Sequence, residues 1–246
     1  MRHAARLLER PCKKRRGVIA RKPPDNTCPM HHPPLKTPFQ LLQHLPQLRH
    51  SQPDAQCWSV LPAGLPVPAL EKIFATLRAT DGIALHDPAH AAQLRRMDWR
   101  GPLLLPQGVA EPRALELCSR LGLWHVVHSD VQLDWLAAHK SQLPQHIWLP
   151  LAGAGQPGFA LERLRSAYAR LSALPQVETI TLALHDPADL PAFVRASADL
   201  AGEQVLCQPL PADLHTLPST PLPATLTQVW YATVQDDASA AGATTF

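Results

Sequence analysis

Lysine all but disappears from this 246-residue chain after Lys36, with only Lys72 and Lys140 beyond it. Chemistry that needs a primary amine therefore has few residues to draw on. Tyrosine is as scarce, Tyr168 and Tyr231 being the only two. No apolar run approaches the ~20 residues that span a bilayer, and the start holds no stretch suited to a secretory signal. Glycine, at 11 residues, is too sparse for a collagen-like or flexible-linker composition, although proline reaches 27. Cys12, Cys28, Cys57, Cys118 and Cys207 are odd in number and scattered. That pattern predicts reduced thiols in a cytoplasmic protein, not a disulfide framework.

What is present suffices for one sizeable core, since 46% of the residues are hydrophobic. The charge is uneven. Arg2, Arg6, Arg10, Lys13, Lys14, Arg15, Arg16, Arg21 and Lys22 crowd the start against Glu9 alone, so the rest carries 14 cations and 19 acids. The net charge of +3 thus hides an acidic body of about −5 behind a basic head. Such a head can act as a nucleic-acid or membrane-surface arm, but a plain leader is the simpler reading. Residues 1–36 lack periodicity and contain Pro23-Pro24 and Pro33-Pro34. They read as a disordered leader, residues 37–234 as the globular body, and residues 235–246 as a fraying tail.

Short apolar runs alternate with amphipathic stretches from Thr37 onward. The spacing predicts helices over Pro38–Leu48, Ala69–Arg78, Pro88–Arg96, Glu111–Leu121, Asp130–His139, Phe159–Leu174 and Pro187–Leu200. Leu161, Leu164, Tyr168 and Leu171, for instance, recur at three and four residues. Strands are predicted over Cys57–Leu61, Gly82–Leu85, Leu103–Leu105, His125–Val127, His146–Leu151, Thr179–Leu184 and Gln204–Cys207. Continuous apolar strands separated by helices imply a parallel sheet covered by helices. Seven such alternations favour an α/β fold closed as a (β/α)8 TIM-like barrel. The eighth strand is either Gly17–Ala20 or Val229–Val234, so the barrel could be left incomplete or distorted. Pro150 lacks the N–H that a central strand uses, and the strand is expected to stop at Leu149 or bulge there.

Several segments, in order and at their spacings, resemble the N-terminal barrel of alanine racemases. Cys57-Trp58-Ser59-Val60-Leu61-Pro62-Ala63 is similar to that family's strand ending in Val-Val-Lys-Ala. Trp124-His125-Val126-Val127-His128-Ser129 resembles its junction ending in Val-Val-His-Ser, and Ile147-Trp148-Leu149 the strand that opens a Trp-Leu-Lys motif. Thr181-Leu182-Ala183-Leu184-His185 resembles its strand ending in a Ser-His pair beside the cofactor. The match runs from about Phe39 to Leu214 and does not reach the family's second, β domain. The resemblance implies a pyridoxal phosphate-binding barrel, a homodimer or a pairing with an active paralogue, and His185 as the one matching cofactor-binding position.

The departures fall where the chemistry would be. Reactive groups in such barrels project from the C-terminal ends of the strands. Pro62 stands where the family has its Schiff-base lysine, Pro66 where it has a tyrosine, and Pro150 where it has a second lysine. Ala152–Pro157 replaces the segment that carries an arginine, and Pro209 takes the place of a phosphate-holding serine. Lys72 is expected inside a helix and Lys140 at the opposite end of the barrel, so neither substitutes. The coenzyme is the electron sink in this chemistry, and the protein supplies anchoring and proton transfer. Without the amine that anchors it, the resemblance implies no bound cofactor, no catalytic residues and a pseudoenzyme. A mouth partly closed by Pro62, Pro66 and Pro106 is expected. The alternatives are a working pyridoxal phosphate-dependent alanine racemase, and binding of nucleic acid or a partner through the basic head.

Other motifs are weaker. Gly153-Ala154-Gly155-Gln156-Pro157-Gly158 spells GxGxxG between a strand and a helix, the context of a phosphate loop. Asp186 lies too far on to be its ribose partner. His86 and His90 are four apart but lack a third metal ligand, and no metal site is predicted. Ser129 or Asp130 is expected to cap a helix. The six tryptophans are expected in packing roles.

Overall fold

The computed structural model describes residues 35–153, 155–218 and 222–234. Nine strands and seven α-helices alternate along them. The strands are β1 Leu35–Lys36, β2 Gln56–Leu61, β3 Gly82–Leu85, β4 Leu103–Leu105, β5 Trp124–Val126, β6 Gln145–Pro150, β7 Val177–Leu184, β8 Glu203–Pro209 and β9 Leu226–Val234. The helices are α1 Pro38–Ser51, α2 Val67–Leu77, α3 Pro88–Arg96, α4 Ala114–Leu121, α5 Asp130–Ala138, α6 Leu161–Ser172 and α7 Leu190–Ser197. Strands β2 to β9 pair in sequence, all parallel, and β9 pairs with both β8 and β2. The sheet therefore closes on itself as an eight-stranded (β/α)8 barrel. The expected gap is absent: β9 contains Val229–Val234 and supplies the eighth strand, while Gly17–Ala20 lies outside the described residues. Strand β1 sits outside the ring, with Lys36 beside Val234 at the end of β9.

Strands β2 to β9 are buried on both faces over most of their length, as a covered parallel sheet requires. Trp58, Val60, Ala84, Leu104, Val126, Trp148, Ala183, Val205, Cys207, Val229 and Tyr231 pack together inside the ring. The intervening residues, such as Leu61, Ile83, Leu103, Ile147 and Leu182, form the larger outer core beneath the helices. Trp58 stands 5.3 Å from Trp148 and 5.8 Å from Trp124, ring centre to ring centre, and fills the lower half of the barrel. Gly82 is necessary beside it, because a Cβ there would lie 2.6 Å from the Trp58 ring.

The helix starts follow local chemistry. Thr37 and Gln40 form a reciprocal capping box at α1, and the Asp87 carboxylate accepts from the Ala89 amide at α3. Ser129, not Asp130, caps α5. The stretch Pro187–Leu200 divides into a 3₁₀ turn over Pro187–Asp189 and the shorter α7. The expected stop or bulge at Leu149 is also corrected. Strand β6 runs through Pro150, which pairs with Ala183, and its irregularity lies at Gln145/His146. The Leu151 amide donates to Ala183, so by alternation the Pro150 nitrogen faces β5, whose paired residues end at Val126. The missing N–H therefore falls where the β5–β6 pairing runs out, after the Val127 amide has donated to Trp148.

Candidate active site at the C-terminal mouth

In a barrel of this kind the inward positions at the C-terminal strand ends are where a ligand meets the protein. Here those positions converge on a cavity of about 20 Å³, bounded by Leu104, Pro106, Val126, Trp148, Pro150, Gln156, Pro157, Ala183, His185 and Tyr231. That volume holds about one water molecule. Pro106 closes the mouth as expected, but Pro62 and Pro66 do not line it. Pro62 follows β2 half-buried and Pro66 is exposed. Their place is taken by Pro150 and by Pro157 from the β6–α6 loop.

That loop folds down on itself. The Phe159 amide donates to the Pro150 carbonyl, the Ala152 amide to Phe159, and the Gln156 amide to Gly153. Gly158 lets the two chain segments touch, since a Cβ there would sit 2.6 Å from the Pro150 oxygen. The Gln156 amide of the GxGxxG loop and the flanking Ala152 and Phe159 amides are thus spent on the local backbone. Helix α6 has Ala160 at its N-cap, with no side-chain cap, and Glu162 in its first turn. A phosphate placed there would meet that acid, so this loop is not the phosphate cradle its spelling suggests.

His185 is brought to the cavity wall by β7. Burial holds its imidazole down at about 4, so it is neutral at ordinary pH. Tyr231 donates to the Cys207 sulfur at 3.8 Å inside the ring. Burial pushes that thiol up to about 12, which removes it as a nucleophile. Trp148 carries a buried indole N–H with no partner among the described residues. His86 and His128 both meet Gln107 in the rim loops, and His90 turns inward to the Leu65 carbonyl at 2.7 Å. Among the described residues no three metal-ligating groups gather.

The amines stand elsewhere. Lys72 is exposed on α2, and Lys140 is exposed after α5, on the side of the barrel where β6 begins. Among the described residues the cavity wall has no lysine and no arginine. Sequence reasoning found His185, Pro106 and Pro150. It missed Gln156, Pro157 and Tyr231, though the inward alternation of Val229 and Tyr231 along β9 carried the last of these.

Comparison with known proteins decides the family. The model of the alanine racemase N-terminal domain matches residues 41–205. The chain belongs to that family. It is 52% identical over 177 residues to the alanine racemase of Verminephrobacter eiseniae, covering 68% of this chain and 48% of that protein. It spans about half the length of the curated relatives it matches. Among solved structures, the biosynthetic alanine racemase of Pseudomonas aeruginosa superimposes with a TM-score of 0.61 at 21% identity, over 79% of this chain and 56% of that one. The alanine racemase of Bartonella henselae with covalently bound pyridoxal phosphate gives 0.60 at 14% identity, over 80% and 58%. These likenesses establish the shared barrel.

The residues at this mouth do not fit a covalently held pyridoxal phosphate. The cavity has room for about one water, no lysine borders it among the described residues, and Gln156 and Pro157 fill the entrance. Among the described residues no helix is long and apolar enough to cross a membrane.

Proposed function

We propose that this chain is an alanine racemase-type barrel without racemase activity, a cytoplasmic pseudoenzyme acting by binding or regulation. The observation that carries this reading is Pro62 directly after β2, combined with a mouth cavity of about 20 Å³ that has no amine in its described wall. Proline cannot form an imine with an aldehyde, and a neutral His185 alone provides neither anchor nor electron sink. His185, together with the indole N–H of Trp148, is left to meet a small polar ligand at the mouth. The same reading divides the chain into a basic leader over 1–36, the barrel over 37–234 with β1 just ahead of it, and a tail over 235–246. Self-pairing, or pairing with an active relative, would be the mode of action.

The rival reading, a working pyridoxal phosphate-dependent alanine racemase, is favoured by the 52% identity to a protein of that name. Expression in a D-alanine auxotroph separates the two. Soluble protein that fails to restore growth, and shows no alanine racemisation with added coenzyme, is the expected result. Growth rescue would overturn the pseudoenzyme reading.

A further inference from the structure

The opposite, N-terminal face of the barrel carries a groove of about 460 Å³, far larger than the cavity at the mouth. Three arginines converge on it from consecutive helix–strand connections: Arg95 at the end of α3, Arg100 before β4, and Arg120 at the end of α4. His146 from β6 and the apolar Leu143 complete the wall. No carboxylate lines it.

The three arginines are not equivalent. Arg95 is a fixed part of the floor. Its Nε donates to the Leu121 carbonyl at 3.0 Å, Nη1 to Trp99 and Gly101 at 2.9 Å each, and Nη2 to Gly122 at 3.1 Å. Those carbonyls satisfy its donors but do not cancel its charge, and burial with the nearby Arg100 pulls its pKa down. Arg100 is held by Asp98 at 2.6 Å. Arg120 is exposed and has no hydrogen-bond or ion-pair partner among the described residues. His146 keeps Nδ1 on the Thr179 hydroxyl at 2.9 Å and its ring against Trp124, which fixes its orientation. Three guanidinium charges against the single carboxylate of Asp98 leave the groove strongly positive on a body whose net charge is about −5. Concentrating like charges in one concave site on an acidic body is unfavourable unless an anion shares it.

We infer that this groove binds a small molecule bearing a doubly charged phosphate, held between Arg120 and Arg100 over the fixed Arg95, with its organic body against Leu143. A compact dianion suits the geometry better than a polyanion. The positive charge is confined to this one groove, and the acidic remainder of the surface would repel a long negatively charged chain. Arginine supplies the forked donors that phosphate oxygens accept. The size of the groove lies in the range of ordinary ligand sites. This inference stands apart from the racemase question and survives whichever way that is settled.

The test is calorimetric titration of the full chain with phenyl phosphate at constant ionic strength, with acetate as the monovalent control. Saturable one-to-one binding of phenyl phosphate, and none of acetate, is expected. Arg120→Gln should weaken it by roughly tenfold or more, the loss of one charge-assisted contact. Leu143→Glu, which keeps all three arginines but puts a carboxylate in the wall, should weaken it as much. His185→Ala at the far mouth should leave it unchanged. Absence of saturable binding, equal binding by Arg120→Gln, or a loss in His185→Ala would each overturn the assignment.

Discussion

The two ends of this barrel are built on opposite principles. At the C-terminal mouth, prolines and a self-bonded loop close over a cavity the size of one water, and the imidazole of His185 and the phenol of Tyr231 there are neutral. At the N-terminal face, arginines surround an open groove of about 460 Å³ beneath a plug of tryptophans. The end that carries chemistry in barrels of this kind has become core, and the end usually left to stability has kept the charge. Closure at the mouth follows from Pro106, Pro150 and Pro157 and from a loop that bonds to its own backbone. Openness at the other face follows from helix ends that need cations to meet their carbonyls.

The contrast depends first on the interior plug that separates the two ends. Trp58→Ala removes the ring that meets Trp124 and Trp148. It should cost about 3–5 kcal/mol in denaturant unfolding and open a path between groove and mouth. A loss under 1 kcal/mol would mean that the interior is loosely filled.

A nearly equal effect is expected from pH. His125 lies fully buried on β5 with neither ring nitrogen partnered among the described residues, and burial lowers its pKa to about 4. The folded form therefore binds its proton less readily than the unfolded chain, whose histidine titrates near 6.5. Stability is complete above the unfolded value and falls as pH drops from about 6.5 to about 4, by roughly 3 kcal/mol for His125 alone. His185 adds to the same slope. In urea unfolding across that range, His125→Leu should flatten the curve, and an unchanged slope would refute the assignment.

Smaller effects sharpen the description of the mouth itself. Gly158→Ala forces a methyl against the Pro150 carbonyl and should destabilise by about 1–3 kcal/mol while loosening the loop. Faster amide exchange confined to 152–159 would register that loosening. Asp87→Ala removes the cap of α3, whose Ala89 amide lies 2.8 Å from the carboxylate. It should cost about 1 kcal/mol in thermal unfolding without changing either end of the barrel.

Much of this architecture was legible in the residues, for a physical reason. Buried parallel strands are short, continuous apolar runs, so Gly82–Leu85 and Leu103–Leu105 could be bounded from sequence to the residue. The Pro62 and Pro150 positions were legible too, because proline's missing N–H makes its presence at a strand end conspicuous. Which prolines close the mouth was not. That depends on how the β6–α6 loop folds back, and its bridges at Leu151–Phe159 and Gly153–Gln156 join residues whose identities carry little pairing preference. The arginine groove was equally hidden. Arg95 and Arg100 lie on the α3–β4 connection and Arg120 on the α4–β5 connection, and the two meet only because β4 and β5 pair side by side.

The most direct measurement on the central claim is mild incubation of the full chain with pyridoxal phosphate, borohydride reduction, and peptide mapping of the product. The account predicts no one-to-one pyridoxyl adduct on any single residue. A stoichiometric adduct on one lysine, with Lys36 in β1 beside the end of β9 the position to watch, would contradict it.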